Sequence, residues 1–310
     1  MTWQPPHHEK GSSLRTTLDE DGWRVAIVEI LDRYALPSTD ASLFASGSDI
    51  VFGTADHVVK MSHPRWSDEI ATERVGLERA ARGLDVRTPQ PVAHGALADW
   101  PYIVMSRIPG KPLARVWPDL DGSARRAMGR ELGKFLRSLH DIPVDEDPEL
   151  TGFIDRMRGQ AKENHLGQGI SPAWADRIEP FLEEVWPVPS MPSVFLHTEV
   201  MDEHVFAERS SDGWHVSGII DFADCCIGHP GYEFPALAEF IFRGDGASFR
   251  ECLLAYGFAP GDLGIDRSRE FLAWSLVHQF GSLPRMLRAV GAPEPRSLED
   301  LALRLYPLEG

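Results

Sequence analysis

Apolar positions recur at helical spacing through most of the chain after residue 110, whereas the stretch from 41 to 105 carries short apolar runs cut by Gly, Pro and Asp. Between residues 19 and 36, Trp23, Ile27, Ile30, Leu31 and Tyr34 fall on one helical face, and Pro37 ends the helix. Residues 1–18 read as a loose polar leader. Two strand-like runs follow, 41–52 and 56–61. A helix over 68–82 is expected next, with Ser67 as its cap and Gly83 as its stop. Residues 86–95 read as a Pro-punctuated connection before an edge strand. Residues 100–110 read as a buried strand running into a Pro-Gly turn. The clearest helix is 123–140, where Leu132, Phe135, Leu136 and Leu139 share a face. His140 at its end is read as structural. Residues 141–148 are expected to be an acidic loop, 149–167 and 172–186 two helices, and 187–192 a Pro-rich lead-in. Short strands are expected at 194–196, 205–207 and 214–220, and further helices at 232–242, 246–256, 269–283 and 298–305. A β-rich first part and a mainly helical second part make an α+β chain, divided as 1–105 and 106–310.

Chemistry concentrates in two places. The loop after the 194–196 strand holds His197, Glu199, Asp202, Glu203 and His204, and the 214–220 strand delivers Asp221 and then Asp224. So many ionisable groups beside apolar strands are costly to bury unless they are paired or hold a cation. Carboxylates gathered this way point to a divalent metal and an anionic ligand such as a nucleotide phosphate. Earlier, Val58-Val59-Lys60 is an apolar strand presenting one lysine. The small-residue turn Phe44-Ala45-Ser46-Gly47-Ser48-Asp49 precedes it, where backbone N–H groups can approach a phosphate closely. An ordinary hairpin with solvated acids would use many of the same residue types.

The pattern H-x-acid-x4-ligand, followed by a strand ending Ile219-Ile220-Asp221-Phe222-Ala223-Asp224, resembles the aminoglycoside phosphotransferases. That family has the two-lobed protein-kinase-like fold and the usual form H-G-D-x-x-x-x-N, then D-x-x-D. The run Tyr102-Ile103-Val104-Met105-Ser106-Arg107 and the segment 131–140 (ELGKFLRSLH) resemble most closely the hygromycin-type antibiotic phosphotransferases. The resemblance implies ATP and Mg²⁺ as cofactors. In it Ser46, Gly47, Ser48 and Lys60 hold phosphates, and Glu73 pairs with Lys60, Glu69 being the second candidate. Ile103 and Met105 lie in the hinge that meets the adenine, and Asp221 ligates the metal. Two positions depart from the usual form: Glu199 stands where a catalytic Asp is expected, and His204 where a metal-binding Asn is expected. Glu199 is then the base and His197 its hydrogen-bonding support. Imidazole suits softer metals than magnesium, so three outcomes stay open: Mn²⁺ is accepted, Asp202 or Glu203 ligates instead, or a water bridges His204 to the ion. Asp202, Glu203, Asp224, Glu233 and Glu239 are the acids expected to face a cationic acceptor.

Composition narrows the rest. With 47 acidic against 31 basic residues, the formal charge of −16 disfavours a nucleic-acid partner and favours cationic ones. Three cysteines without CxxC spacing fit a reducing cytoplasm. Residues 1–13 lack the apolar region of a signal peptide, and no run is long enough to span a membrane. Together with these bounds, the resemblance implies a cytoplasmic monomer that phosphorylates a hydroxyl of a cationic antibiotic, an aminoglycoside or hygromycin B-like aminocyclitol. Two alternatives stay open: a metabolic alcohol kinase of the same fold, and a nucleotide-binding protein that has lost catalysis.

Overall fold

The structure, a computed structural model, describes residues 3–6, 19–45, 47, 49–144, 150–186 and 192–308. The chain forms two compact units, and the division is not one cut near residue 105. The first unit contains the described residues up to Arg82, then Arg87–Pro109, and also Gly218–Asp224. The second contains Gly83–Val86, Gly110–Ser217 and Cys225–Gly310. Asp221 and Asp224, expected in the helical part, thus belong with the sheet of the first unit.

In the first unit α1 (Glu20–Arg33) begins at Asp19, whose carboxylate accepts the Gly22 N–H at 2.8 Å. Five strands follow: β1 (Ser42–Leu43), β2 (Ile50–Gly53), β3 (His57–Met61) and, after α2 (Ser67–Ala80), β4 (Pro91–Leu97) and β5 (Trp100–Ser106). They form one antiparallel sheet in the order β1-β2-β3-β5-β4, with Lys60 opposite Ile103. Residues 86–95 are more ordered than the connection expected, since most of β4 lies in them. The core joins the buried face of α1 to the sheet through Trp23, Ile27, Ile50, Phe52, Val59 and Tyr102.

Trp3 corrects the reading of the leader. It is buried, with its ring 5.8 Å from those of both Trp23 and Trp100, and its backbone N–H donates to Glu29 Oε2 at 3.2 Å. A single tryptophan among polar residues has no periodicity to betray it. The remainder of the leader, 7–18, lies outside the described residues, as do most of the acidic loop at 145–149 and of the Pro-rich lead-in at 187–191.

The second unit opens with β6 (Lys111–Pro112) and α3 (Gly122–His140), the latter capped by Asp121, which accepts the Ser123 and Ala124 N–H groups. Helix α4 (Phe153–Gly167) follows. The single helix expected over 172–186 is two, α5 (Pro172–Ala175) and α6 (Ile178–Val185). Strand β7 (Val194–Leu196) pairs antiparallel with β10 (Cys226–Gly228), a strand absent from the sequence reading. Between them come β8 (Val205–Ser210) and β9 (Gly213–Ile219), in a sheet ordered β6-β8-β9.

Residues 232–242, expected to be one α-helix, are a 3₁₀ turn, a short α7 (Phe234–Ala236) and a π-helix over Leu237–Phe242. Then come α8 (Gly246–Tyr256), α9 (Ile265–Val277), α10 (Leu283–Val290) and α11 (Leu298–Leu305). The helix expected over 269–283 stops six residues early. The chain turns tightly there, with the Gly281 N–H on the His278 carbonyl at 2.7 Å, and a side chain at Gly281 would collide with the Ser275 carbonyl. Helices α3 and α8 pack closely because Gly129 and Gly133 on α3 meet the backbone carbonyls of Ser248 and Cys252. No described helix is long and apolar enough to cross a membrane.

Burial of Trp3 predicts that Trp3→Ala lowers the unfolding free energy by about 3–5 kcal/mol in chemical denaturation. A loss below about 1 kcal/mol would place Trp3 outside the core.

Candidate active site

Lys60 sits on β3 of the first unit with its side chain 7% exposed. Its ammonium lies 2.9 Å from Glu73 Oε2 on α2, 2.9 Å from Asp221 Oδ1, and 3.5 Å from Asp49 Oδ2. Burial works against the charge, but Asp221, Glu73 and Asp49 more than offset it and hold the ammonium well above its ordinary pKa. Glu73 is the acid the sequence reading preferred, and α2 carries it on its buried face with Ile70 and Leu77. Asp221 follows β9 at φ +70, a left-handed conformation that Asp tolerates better than most residues. Asp49 was not singled out by the sequence. Its carboxylate accepts the Ser62 hydroxyl at 2.7 Å, so a serine just beyond β3 fixes it beside the lysine.

Three carboxylates therefore face one ammonium, and α2 adds a fourth acid nearby. Burial, then repulsion from Asp49 and Asp224, pushes Glu69 up to about 7. A buried group of acids with too few cations is chemically suited to a divalent ion carrying an anionic ligand.

The second unit carries the acidic loop. His197 and Thr198 are fully buried and Glu199 is nearly so. The His197 N–H donates to Glu233 Oε2 at 3.0 Å, and the Glu199 N–H donates to His197 Nδ1 at 3.2 Å. His197 thus braces the loop through its ring, with the proton of the neutral imidazole on Nε2. Thr198 has φ +71. That conformation costs a β-branched residue about 1–2 kcal/mol. At the far end of the loop, His204 Nδ1 lies 3.0 Å from the Glu199 carbonyl. A carbonyl only accepts, so Nδ1 carries the proton and Nε2 presents a lone pair, the arrangement in which imidazole ligates a metal. Within this loop Glu199 offers an oxygen donor and His204 a nitrogen donor, and imidazole suits a softer ion than Mg²⁺, such as Mn²⁺.

The remaining expected residues fall in several places. Ser46 and Ser48 lie outside the described residues, and Gly47 is exposed at φ +110. Ile103 lies between Lys60 on β3 and His94 on β4, so its main chain belongs to the sheet and does not suit the adenine contact expected of it. Met105 stands between Val58 and Pro91, which has no N–H to give.

The acids expected to face a cation need a larger correction. Glu233 is fully buried, with His140 Nε2 3.6 Å away in addition to the His197 amide. It is an internal anchor, and a solvent-facing role does not hold. Asp202 is 2.7 Å from Arg243, and Glu239 is 2.7 Å from Arg285. Both carboxyls are raised by burial and pulled back by their arginines. Glu203 is exposed and Asp224 half-buried. His140, read as structural, has Nδ1 2.8 Å from the Tyr256 hydroxyl.

Glu69 yields a pH prediction. Its folded pKa, about 7, lies above the ordinary 4.5, so between those values the folded protein holds a proton that the unfolded chain has lost. Stability measured without metal should therefore fall from pH 4.5 to about 7 more steeply in the wild type than in Glu69→Gln. Equal slopes would remove Glu69 from the cluster.

The chain is similar to known proteins over most of its length. The profile of the phosphotransferase enzyme family covers residues 45–271. The viomycin phosphotransferase of Streptomyces vinaceus is 28% identical over 231 residues, 68% of this chain and 74% of that protein. The lysine-specific demethylase JMJ21 of Arabidopsis thaliana is 26% identical over 215 residues, 54% of this chain but only 23% of that much longer protein. Among solved structures, the GDP complex of wild-type aminoglycoside 2'-phosphotransferase-IIIa aligns with a TM-score of 0.67 at 18% identity, over 91% of this chain and 96% of that one. Aminoglycoside phosphotransferase APH(3'')-Id from Streptomyces rimosus, with ADP and streptomycin, gives 0.62 at 17% identity, over 82% and 98%. The α+β, protein-kinase-like fold expected from the sequence is thus the fold of these enzymes. A family match that runs from before Lys60 to beyond Glu239 makes the chain a member of the phosphotransferase enzyme family.

Proposed function

We propose that the chain transfers the γ-phosphate of ATP to a hydroxyl of a cationic antibiotic, with a divalent cation. The observation that carries this reading is Lys60, buried between Glu73 and Asp221 at 2.9 Å from each. An ammonium fixed in that way can hold nucleotide phosphates without first being ordered. By the family resemblance Asp221 would hold the cation, whose role is to neutralise charge on the phosphate oxygens, and His204 stands at the position of the family's second metal ligand. Glu199 takes the proton of the acceptor hydroxyl, and His197 keeps its backbone in place. Nucleotide use is supported by relatives solved with GDP, ADP and ATP, and a cationic acceptor by relatives solved with streptomycin or named for viomycin.

A second reading, a kinase for a small metabolic alcohol, has one observation in its favour. Asp202 and Glu239 are ion-paired with Arg243 and Arg285, and Glu233 is fully buried, so three of the five acids expected to face a cationic acceptor are engaged within the fold. Acids engaged within the fold attract a polycation less, which suits an acceptor with fewer positive charges. A screen of aminoglycosides, aminocyclitols, basic peptide antibiotics and simple amino alcohols, with ATP or GTP and mass detection of the product, separates the two. Phosphorylation of the first groups supports the antibiotic reading, and phosphorylation of the amino alcohols alone replaces it.

Glu199→Ala is expected to lower kcat by about 100-fold or more, a loss typical of removing a positioned base, while Glu199→Asp keeps part of the activity. A fully active Glu199→Ala enzyme removes that residue from the chemistry. His204→Asn is expected to move the metal preference from Mn²⁺ towards Mg²⁺, because an oxygen donor replaces nitrogen. An unchanged ratio of the two metal-supported rates counts against His204 as a ligand.

A further inference from the structure

Thr198 lies between His197 and Glu199 in the most constrained part of the second unit. It is fully buried and left-handed, a conformation that a β-branched residue keeps only where its surroundings enforce it. The Thr198 carbonyl accepts a hydrogen bond from His278 Nε2 at 2.9 Å. His278 follows α9, far away in sequence, and its own placement is fixed on every side. Its Nδ1 accepts the Phe280 N–H at 3.2 Å, which puts the ring proton on Nε2 and makes that nitrogen a donor. Its ring stacks on Tyr232 with centroids 4.6 Å apart and planes at 21°. The Tyr232 hydroxyl accepts the neighbouring Gln279 N–H at 2.9 Å. Burial also keeps the ring neutral, lowering its pKa to about 4.

The peptide unit links these contacts to the base. The Thr198 carbonyl and the Glu199 N–H belong to one planar group, so fixing the oxygen fixes the direction of the N–H. That N–H points to His197 Nδ1, and the His197 N–H is held by Glu233. We propose that His278 is a positioning residue: by donating to the Thr198 carbonyl it holds the left-handed turn that sets where the Glu199 carboxylate stands. The proposal rests on the reading of Glu199 as the group that takes the acceptor proton, and it adds a residue some 80 positions away to the machinery of that step.

The test is a double-mutant cycle of His278→Ala with Thr198→Gly, since glycine adopts φ near +70 without help. Two readouts are taken from the full chain: hydrogen exchange of the amides in 197–204 relative to the remainder of the protein, and kcat and KM for phosphoryl transfer. In the Thr198 background His278→Ala should speed exchange in the loop about tenfold or more and lower kcat by a similar factor, with KM within about twofold. In the Thr198→Gly background the same substitution should cost at least about threefold less in both readouts. Equal losses in the two backgrounds, or loop exchange untouched by His278→Ala, would overturn the proposal. If His278→Ala does not fold, His278→Phe keeps the stack on Tyr232, lacks the donor, and carries the same comparison. Coupling in exchange without transfer in any of the four proteins supports the clamp and rejects the reading of Glu199, so the two failures stay apart.

Discussion

One buried ammonium organises the first unit. Lys60 reaches its place on an apolar strand, and charge cannot stay there without partners. Glu73 arrives from α2, Asp49 from the start of β2, and Asp221 from the segment after β9 that joins this unit from late in the chain. Removing one member of such a group strands the others and costs about 3–5 kcal/mol, so structural and functional demands fall on the same side chains. The cluster is also unbalanced, because acids outnumber the single cation. That imbalance is a poor device for stability alone, and it makes chemical sense if a metal and a phosphate complete the set.

The second unit solves a different problem. Its loop from His197 to His204 has to expose reactive groups while its backbone stays fixed. Each end is held by groups remote in sequence: Glu233 on the His197 amide, His278 on the Thr198 carbonyl, and the Ala114 N–H on the Asp202 carbonyl at 2.8 Å. Arg243 adds an ion pair to the Asp202 side chain. Strain at Thr198 is tolerable because the surroundings determine it from both sides. Two of the acids that looked available for a substrate, Asp202 and Glu233, are part of this scaffold.

The sequence disclosed these features unevenly, and the differences have physical causes. Lys60, Glu73 and Asp221 stood out because an apolar strand carrying one lysine, a helix acid followed by Leu77, and a strand ending in acid are local patterns that could be laid against the family they resemble. Helices 246–256 and 298–305 were legible to the residue, since their apolar period is undisturbed. Long-range partners were not. Asp49, His278 and the burial of Glu233 depend on which distant segment packs against them, and nothing in their own neighbourhoods encodes it. The break after Val277 depends on the fit of Gly281 against Ser275, and Trp3 on a tryptophan cluster assembled from three separate segments. The ends of the acceptor question lie in the same class: Asp202 and Glu239 read as free acids until Arg243 and Arg285 are seen beside them.

The most direct measurement is thermal unfolding of the full chain with ATP or GTP, with and without Mg²⁺ or Mn²⁺, for the wild type and for Lys60→Met. If the lysine cluster completes itself with a metal and a triphosphate, nucleotide and metal together raise the Tm of the wild type more than the sum of each alone, and Lys60→Met loses that excess. An equal excess in Lys60→Met, or no nucleotide effect under any metal, would contradict the account.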